Sequence, residues 1–185
     1  TDGNTENKKI ISIYSGSRLS EIKILTPVLI DFIKLMNKKY HNLSFVFQTT
    51  KEYVDLLQKI INKSKLQNCI ISFDEKDKSQ FLKSSMFAVV KSGTVSLEIA
   101  NEGVPSIIIY KMSMINFFII KMLVKVKFAN IINIAAKHEI IPELLQSKCN
   151  GKKIFKEVDR LLNNNTDLNE QIMKSQAVIK NFKNG

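Results

Sequence analysis

The chain has 185 residues, and 44% of them are hydrophobic, which is enough to bury one core of substantial size and predicts a single domain. Its net charge of +11 favours anionic partners, but the basic residues are almost all lysine rather than the arginine that usually reads bases, so nucleic acid is not the expected partner. Two cysteines and two histidines argue against a disulfide framework and a histidine-based metal site, and we expect no metal, no cofactor and a reduced compartment.

The first part of the chain alternates short apolar runs with helical patterns. Residues 1–9 are polar and are expected to form a flexible lead-in. Residues 10–14 predict a buried strand, and a helix follows over 20–39, where Pro27 indicates a kink or a delayed start. The other elements predicted here are strands at 43–47 and 69–73, a helix at 51–63, a charged loop at 74–78 and a short helix at 80–84.

The most informative stretch is 86–110, which predicts a strand, a turn, a helix and a second strand. An apolar run at 86–90 leads into a turn, and a helix is predicted over 94–102. Gly103 ends this helix and Pro105 prevents its continuation before the apolar run at 106–110. The stretch therefore reads as the crossover unit of a parallel sheet.

The turn of this unit, Ser92-Gly93-Thr94, has the composition of a phosphate-binding loop. A small loop that opens a helix presents backbone N–H groups and the positive end of the helix dipole to an anion. Glu98 follows one helical turn after Thr94, where its carboxylate could accept hydrogen bonds from the hydroxyls of a ribose. The alternative is an ordinary helix start with a solvated glutamate.

A second loop of the same kind follows the first predicted strand. Gly16, Ser17 and Arg18 lie where this strand gives way to the long helix, at the carboxyl edge of the sheet, where open α/β folds bind ligands. A guanidinium there could bind a phosphate through two hydrogen bonds. The alternative is an exposed arginine in a surface ion pair.

The two loops together carry a family resemblance. Residues 14–22 read Tyr-Ser-Gly-Ser-Arg-Leu-Ser-Glu-Ile, and the later motifs are Ser-Gly-Thr-x-x-Leu-Glu and Gly-Val-Pro-x-Ile-x-x-Tyr-Lys. In this order they resemble the donor-binding half of the lipid-A-disaccharide synthases, over nearly all of the chain from Ile10 onward. The resemblance implies an α/β fold with a Rossmann-like parallel sheet flanked by helices, the C-terminal half of a GT-B glycosyltransferase with two Rossmann-like domains.

The resemblance also implies an activity. The family's enzyme is a hexosyltransferase that moves diacylglucosamine from UDP to a lipid monosaccharide phosphate in lipid A biosynthesis. The catalytic group and the acceptor pocket belong to an N-terminal domain, supplied in cis or in trans, so we expect no catalytic residue in this chain and no turnover by it alone. The residues that would bind the UDP-sugar are Gly16, Ser17, Arg18, Ser92, Gly93, Thr94, Glu98 and Asn133, the last by alignment with a family asparagine.

The C-terminal part divides into an apolar segment and two helices. Residues 112–128 predict either an interfacial helix on an anionic membrane, with Lys121 and Lys125 near lipid phosphates, or a core helix. No apolar run reaches the roughly 20 residues of a membrane span, and we expect a cytoplasmic protein, peripheral on the inner face of the bacterial inner membrane. Residues 128–136 predict a sixth strand and turn. The UDP-sugar-binding domain is placed at 10–150, before helices within 151–185.

Other functions fit parts of the pattern. Another UDP-sugar enzyme of the same fold, such as a UDP-N-acetylglucosamine epimerase, would use similar loops. A non-catalytic nucleotide-binding remnant would keep the loops without the chemistry. A lysine-rich nucleic-acid binder would lose affinity steeply with salt and would not prefer UDP. A second copy of this chain, in a homo-oligomer, is a further candidate partner.

Overall fold

The computed structural model describes residues 8–112, 116 and 127–185, and within them a parallel sheet forms the centre of the protein. Its strands run in the order β3-β2-β1-β4-β5-β6, and every neighbouring pair is parallel. They are β1 (Lys9–Tyr14), β2 (Leu43–Gln48), β3 (Cys69–Ser72), β4 (Ser85–Lys91), β5 (Ser106–Tyr110) and β6 (Glu143–Leu145). This confirms the Rossmann-like prediction. The two lysines predicted to contact a membrane, Lys121 and Lys125, lie outside the described residues.

Helices cover both faces of the sheet. They are α1 (Leu19–Lys39), α2 (Val54–Ser64, after a 3-10 turn at Lys51–Tyr53), α3 (Glu75–Lys83), α4 (Val95–Asn101), α5 (Ile131–Ala136), α6 (Gly151–Leu162, after a 3-10 turn at Gln146–Lys148) and α7 (Asn165–Asn184). None of these helices is long and apolar enough to cross a membrane. Because strand side chains alternate between faces, each strand contributes to two cores.

The two cores lie on opposite faces of the sheet. On one face, α1, α2 and α6 pack over strand residues such as Ile11, Phe45 and Val89, all fully buried. On the other face, α3, α4, α5 and α7 pack over Ala88 and Val90. Burial of apolar side chains on both faces explains why the central strands read as continuous apolar runs.

Two local predictions were wrong, and so was one of the two alternatives given for Pro27. The helix α1 continues through Pro27 from Leu19, without a delayed start, because its apolar side chains are buried on both sides of the proline. The charged loop at 74–78 is the start of α3, where the Asp74 carboxylate accepts hydrogen bonds from the N–H groups of Lys76 at 3.0 Å and Asp77 at 3.4 Å.

The third error concerns the sixth strand. Residues 131–136 form α5, which begins at Asn130, whose side chain accepts a hydrogen bond from the Ile132 N–H at 2.9 Å. The sixth strand lies further on, at Glu143–Leu145, where it pairs with β5. The Asn130 cap favours a helix over 131–136. The strand at Glu143–Leu145 was missed because three residues are too few to show a periodicity.

The last two helices pack on the rest of the protein. Gly151 opens α6 against α1, so closely that a β-carbon at this position would lie 2.7 Å from the β-carbon of Asp31. The side chain of Gln171 on α7 pairs with the backbone of Ser106, accepting from its N–H at 2.7 Å and donating to its carbonyl at 2.9 Å. The C-terminal helices therefore complete both layers.

Candidate functional site

A cavity of about 380 Å³ opens at the carboxyl ends of the strands. It lies where the strand order reverses, between β1 and β4, which is the position at which open α/β sheets bind ligands. The lining comes from the loops after β1, β2 and β4 and from α3 and α4: Tyr14, Gly16, Ser17, Gln48, Thr49, Thr50, Glu75, Lys78, Ser79, Lys91, Ser92, Gly93, Thr94, Val95 and Glu98.

Six of the eight predicted UDP-sugar contacts meet in this cavity: Gly16, Ser17, Ser92, Gly93, Thr94 and Glu98. They come from the loop after β1 and from the loop after β4 with the start of α4. These two segments are more than 70 positions apart in the sequence, and the parallel pairing of β1 with β4 brings them together. Arg18 and Asn133 are not among the residues that line it.

Arg18 precedes the first turn of α1, but its side chain lies at the surface. The side chain is 83% exposed, and its Nε lies 3.9 Å from the Glu21 carboxylate. Because the guanidinium is exposed and the distance is long, this contact contributes little to stability. In this structure, therefore, Arg18 adopts the surface arrangement that was the alternative to a phosphate contact.

The loop after β1 requires glycine at position 16. Gly16 has a φ of 105°, and a β-carbon there would lie 2.7 Å from Oε2 of Glu21. The same Oε2 lies 2.7 Å from Nζ of Lys91, the last residue of β4. One carboxylate thus lies under the first loop and reaches the strand that leads to the second.

The loop after β4 is held by its neighbours. The Ser92 N–H donates to the Ile109 carbonyl at 3.1 Å, so it is not free for an anion as the loop composition suggested, and the Ser92 hydroxyl donates to the Ala129 carbonyl at 3.1 Å. The Ser96 hydroxyl donates to the Gly93 carbonyl at 2.9 Å. Gly93 and Thr94 remain exposed at the cavity, followed by the short helix α4.

Asn133 is fully buried beside this loop rather than in the cavity. Its side-chain oxygen accepts from the N–H groups of Ile140 at 2.8 Å and Ile141 at 3.0 Å. Its side-chain nitrogen donates to the Ile141 carbonyl at 2.7 Å and to Glu143 at 3.0 Å, and Glu143 in turn accepts from the Ala129 N–H at 2.6 Å. Through Glu143, Asn133 therefore helps to fix the segment around Ala129, whose carbonyl accepts the hydrogen bond from Ser92.

Comparison with known proteins identifies the family of this chain. The profile of the lipid-A-disaccharide synthetase family matches residues 3–184. The chain belongs to this family. Curated relatives agree: the lipid-A-disaccharide synthase of Sulfurihydrogenibium sp. is 39% identical over 78% of this chain and 39% of its own length, and that of Rickettsia prowazekii is 33% identical over 95% and 46%. The chain therefore spans less than half the length of these relatives.

Solved structures agree with the fold of this synthetase-family chain. The C-terminal domain of a group 1 glycosyl transferase from Francisella tularensis superposes with a TM-score of 0.61 at 14% identity, over 94% of this chain and 85% of that domain. A UDP-GlcNAc 2-epimerase from Neisseria meningitidis gives a TM-score of 0.60 at 13% identity, over 97% of this chain and 45% of the epimerase. The predicted fold, one half of a GT-B glycosyltransferase, is confirmed.

Several lining residues of this family member were not predicted from its sequence. Gln48 Oε1 and Thr49 Oγ1 are buried at the end of β2 and accept no hydrogen bond from the described protein. Burial, and to a lesser extent the Glu98 carboxylate, raise the pKa of the Tyr14 phenol, so this group is a neutral donor at pH 7. The sequence feature that could have identified them is their position, since Tyr14, Gln48 and Lys91 are each the last residue of a strand.

Neither cysteine of this synthetase-family chain has the chemistry of a reactive thiol. Burial raises the pKa of Cys69 to about 12 and that of Cys149 to about 11, so both are protonated at pH 7. Neither residue lines the cavity. Among the described residues, no group of histidine, cysteine and carboxylate side chains could hold a metal ion.

Proposed function

We propose that this chain is the donor-binding half of a lipid-A-disaccharide synthase and binds UDP-diacylglucosamine for transfer to a lipid monosaccharide phosphate. The observation that carries the proposal is the meeting of the two Ser-Gly loops and Glu98 in one cavity at the reversal point of the sheet. Membership of the lipid-A-disaccharide synthetase family supports it. The Neisseria epimerase, whose fold is similar, has been solved with UDP-GlcNAc bound.

The cavity residues suit the parts of a uridine diphosphate. The loops at Gly16–Ser17 and Gly93–Thr94 present backbone groups without bulky side chains, which allows a diphosphate to approach closely. Glu98 is exposed at the same cavity and could accept hydrogen bonds from both ribose hydroxyls. The sugar and its acyl chains would leave through the open side of the crevice, toward a second domain.

A calorimetric titration with UDP, ADP and uridine tests this function. We expect a clear preference for UDP over ADP, and we expect Glu98→Ala to weaken both UDP and uridine by about 1–3 kcal/mol, because a charged acceptor to the ribose is removed. Glu102→Ala is the matched control, since it removes the same charge at the exposed end of the same helix. A folded chain with no preference for UDP over ADP would refute the function.

We further propose that the chain is peripheral on an anionic membrane through residues 111–127, a proposal that rests on the sequence because Lys121 and Lys125 lie outside the described residues. Replacing both with glutamate should release the chain from vesicles that contain anionic lipid, since each lysine near such a surface contributes about 1 kcal/mol. Flotation measures this release. Lys152→Glu with Lys156→Glu is the control, a pair of the same spacing exposed on α6. Equal partitioning of wild type and the Lys121/Lys125 variant would favour a packed helix instead.

A further inference from the structure

We infer that Lys91, held in place by Glu21, is the cation that binds the diphosphate of the donor. The inference rests on the proposed function, because it assigns a contact within the same cavity. The chemical class of the ligand group is an organic diphosphate.

The position of Lys91 is defined by two contacts. Its Nζ lies 2.7 Å from Oε2 of Glu21 and 5.7 Å from the centre of the Tyr110 ring. Its side chain is 23% exposed and forms part of the cavity wall, directly before the loop Ser92–Thr94. An ammonium group has three N–H donors, so the ion pair with Glu21 leaves donors available to a ligand.

The other cations near the cavity are less suited to this role. Arg18 is 83% exposed and does not line the cavity. Lys78 does line it and is as buried as Lys91, with its side chain 22% exposed, but its Nζ pairs at 3.0 Å with Glu75, whose side chain is 90% exposed, and it lies on α3 rather than next to one of the two Ser-Gly loops. The partner of Lys91 is only 11% exposed. Lys91 directly precedes the loop Ser92–Thr94, so its position beside this loop, rather than its own exposure, distinguishes it from Lys78.

The glycine of the first loop makes this arrangement possible. Glu21 reaches Lys91 by passing beneath Gly16, where any β-carbon would lie 2.7 Å from its Oε2. The first loop, the start of α1 and the end of β4 are thereby joined through a single carboxylate. The sequence motif with glycine at position 16 and glutamate at position 21 thus serves to position a lysine that lies 70 residues further on.

The test compares UDP and uridine binding to the 185-residue chain. We expect Lys91→Met to weaken UDP by about tenfold to a hundredfold, as for loss of a charge-assisted hydrogen bond, and to change uridine by less than about twofold. Lys91→Arg, which keeps the charge, should lose less. Lys34→Met is the matched control, since Lys34 is exposed on α1 and outside the cavity lining; it should leave both affinities unchanged.

A double variant separates loss of the Lys91 contact with the diphosphate from repulsion of the diphosphate by Glu21. Lys91→Met alone leaves the Glu21 carboxylate with only the Arg18 guanidinium nearby, at 3.9 Å, and this carboxylate could itself repel a diphosphate. Lys91→Met combined with Glu21→Gln therefore removes both charges. We expect the loss of UDP affinity to persist in the double variant. Recovery of wild-type UDP affinity would overturn the inference, and so would an equal loss of UDP and uridine in Lys91→Met. If wild type prefers UDP over ADP but the UDP-to-uridine ratio is unchanged in Lys91→Met, the Lys91 assignment fails and the proposed function stands.

Discussion

Asn133→Ala is expected to lower the free energy of unfolding by about 3 kcal/mol or more, because it leaves two backbone N–H groups without their acceptor. Asn133 is fully buried and accepts from Ile140 and Ile141 while donating to Glu143. The cost is large because the two N–H groups lose their acceptor at a side chain that is fully buried. Unfolding in urea, followed by circular dichroism, measures the effect.

The same variant tests the contact between Asn133 and the donor that the alignment implied. Asn101→Ala, an exposed asparagine at the end of α4, is the control and should change stability by no more than about 0.5 kcal/mol. If the role of Asn133 is support, UDP binding by the fraction that remains folded should change only modestly. Unchanged stability together with lost UDP binding would instead assign Asn133 to the ligand.

The second large effect expected is the absence of transfer activity in this chain by itself. Glycosyl transfer requires the donor and acceptor to be held in line and a group to accept the acceptor proton. The ionisable groups that line the cavity are Tyr14, Glu75, Lys78, Lys91 and Glu98. Glu75 is 90% exposed and paired with Lys78, and Glu98 faces the proposed ribose, so neither is placed as a base for an acceptor.

Release of UDP measures this directly. The purified chain, incubated with UDP-diacylglucosamine and the acceptor lipid, should release no more UDP than a blank, although it binds UDP. Addition of the N-terminal half of a full-length relative is expected to restore transfer. Sustained, acceptor-dependent release by the chain alone, abolished by Arg18→Ala, would contradict this prediction and would place a catalytic role near the first loop.

The sequence by itself determined the first five strands along the chain and the two Ser-Gly loops that follow β1 and β4. The apolar runs at 10–14, 43–47, 86–90 and 106–110 are each found as strands, extended by one residue or two in three of them. They could be recognised because strands that are buried on both faces are apolar throughout. The two Ser-Gly loops could be predicted because small residues directly after a buried strand are typical of a turn that opens a helix and leaves backbone groups accessible.

The placement of individual side chains was decided by tertiary structure. Whether Arg18 or Lys91 faces the cavity depends on the pairing of β1 with β4 and on the direction of the Glu21 side chain, and neither is a property of local sequence. The same holds for Asn133, whose partners lie across a turn and a strand. Apolar runs in the sequence indicate which segments are buried. Which charged side chain lines the cavity depends on contacts between segments that are far apart in the chain.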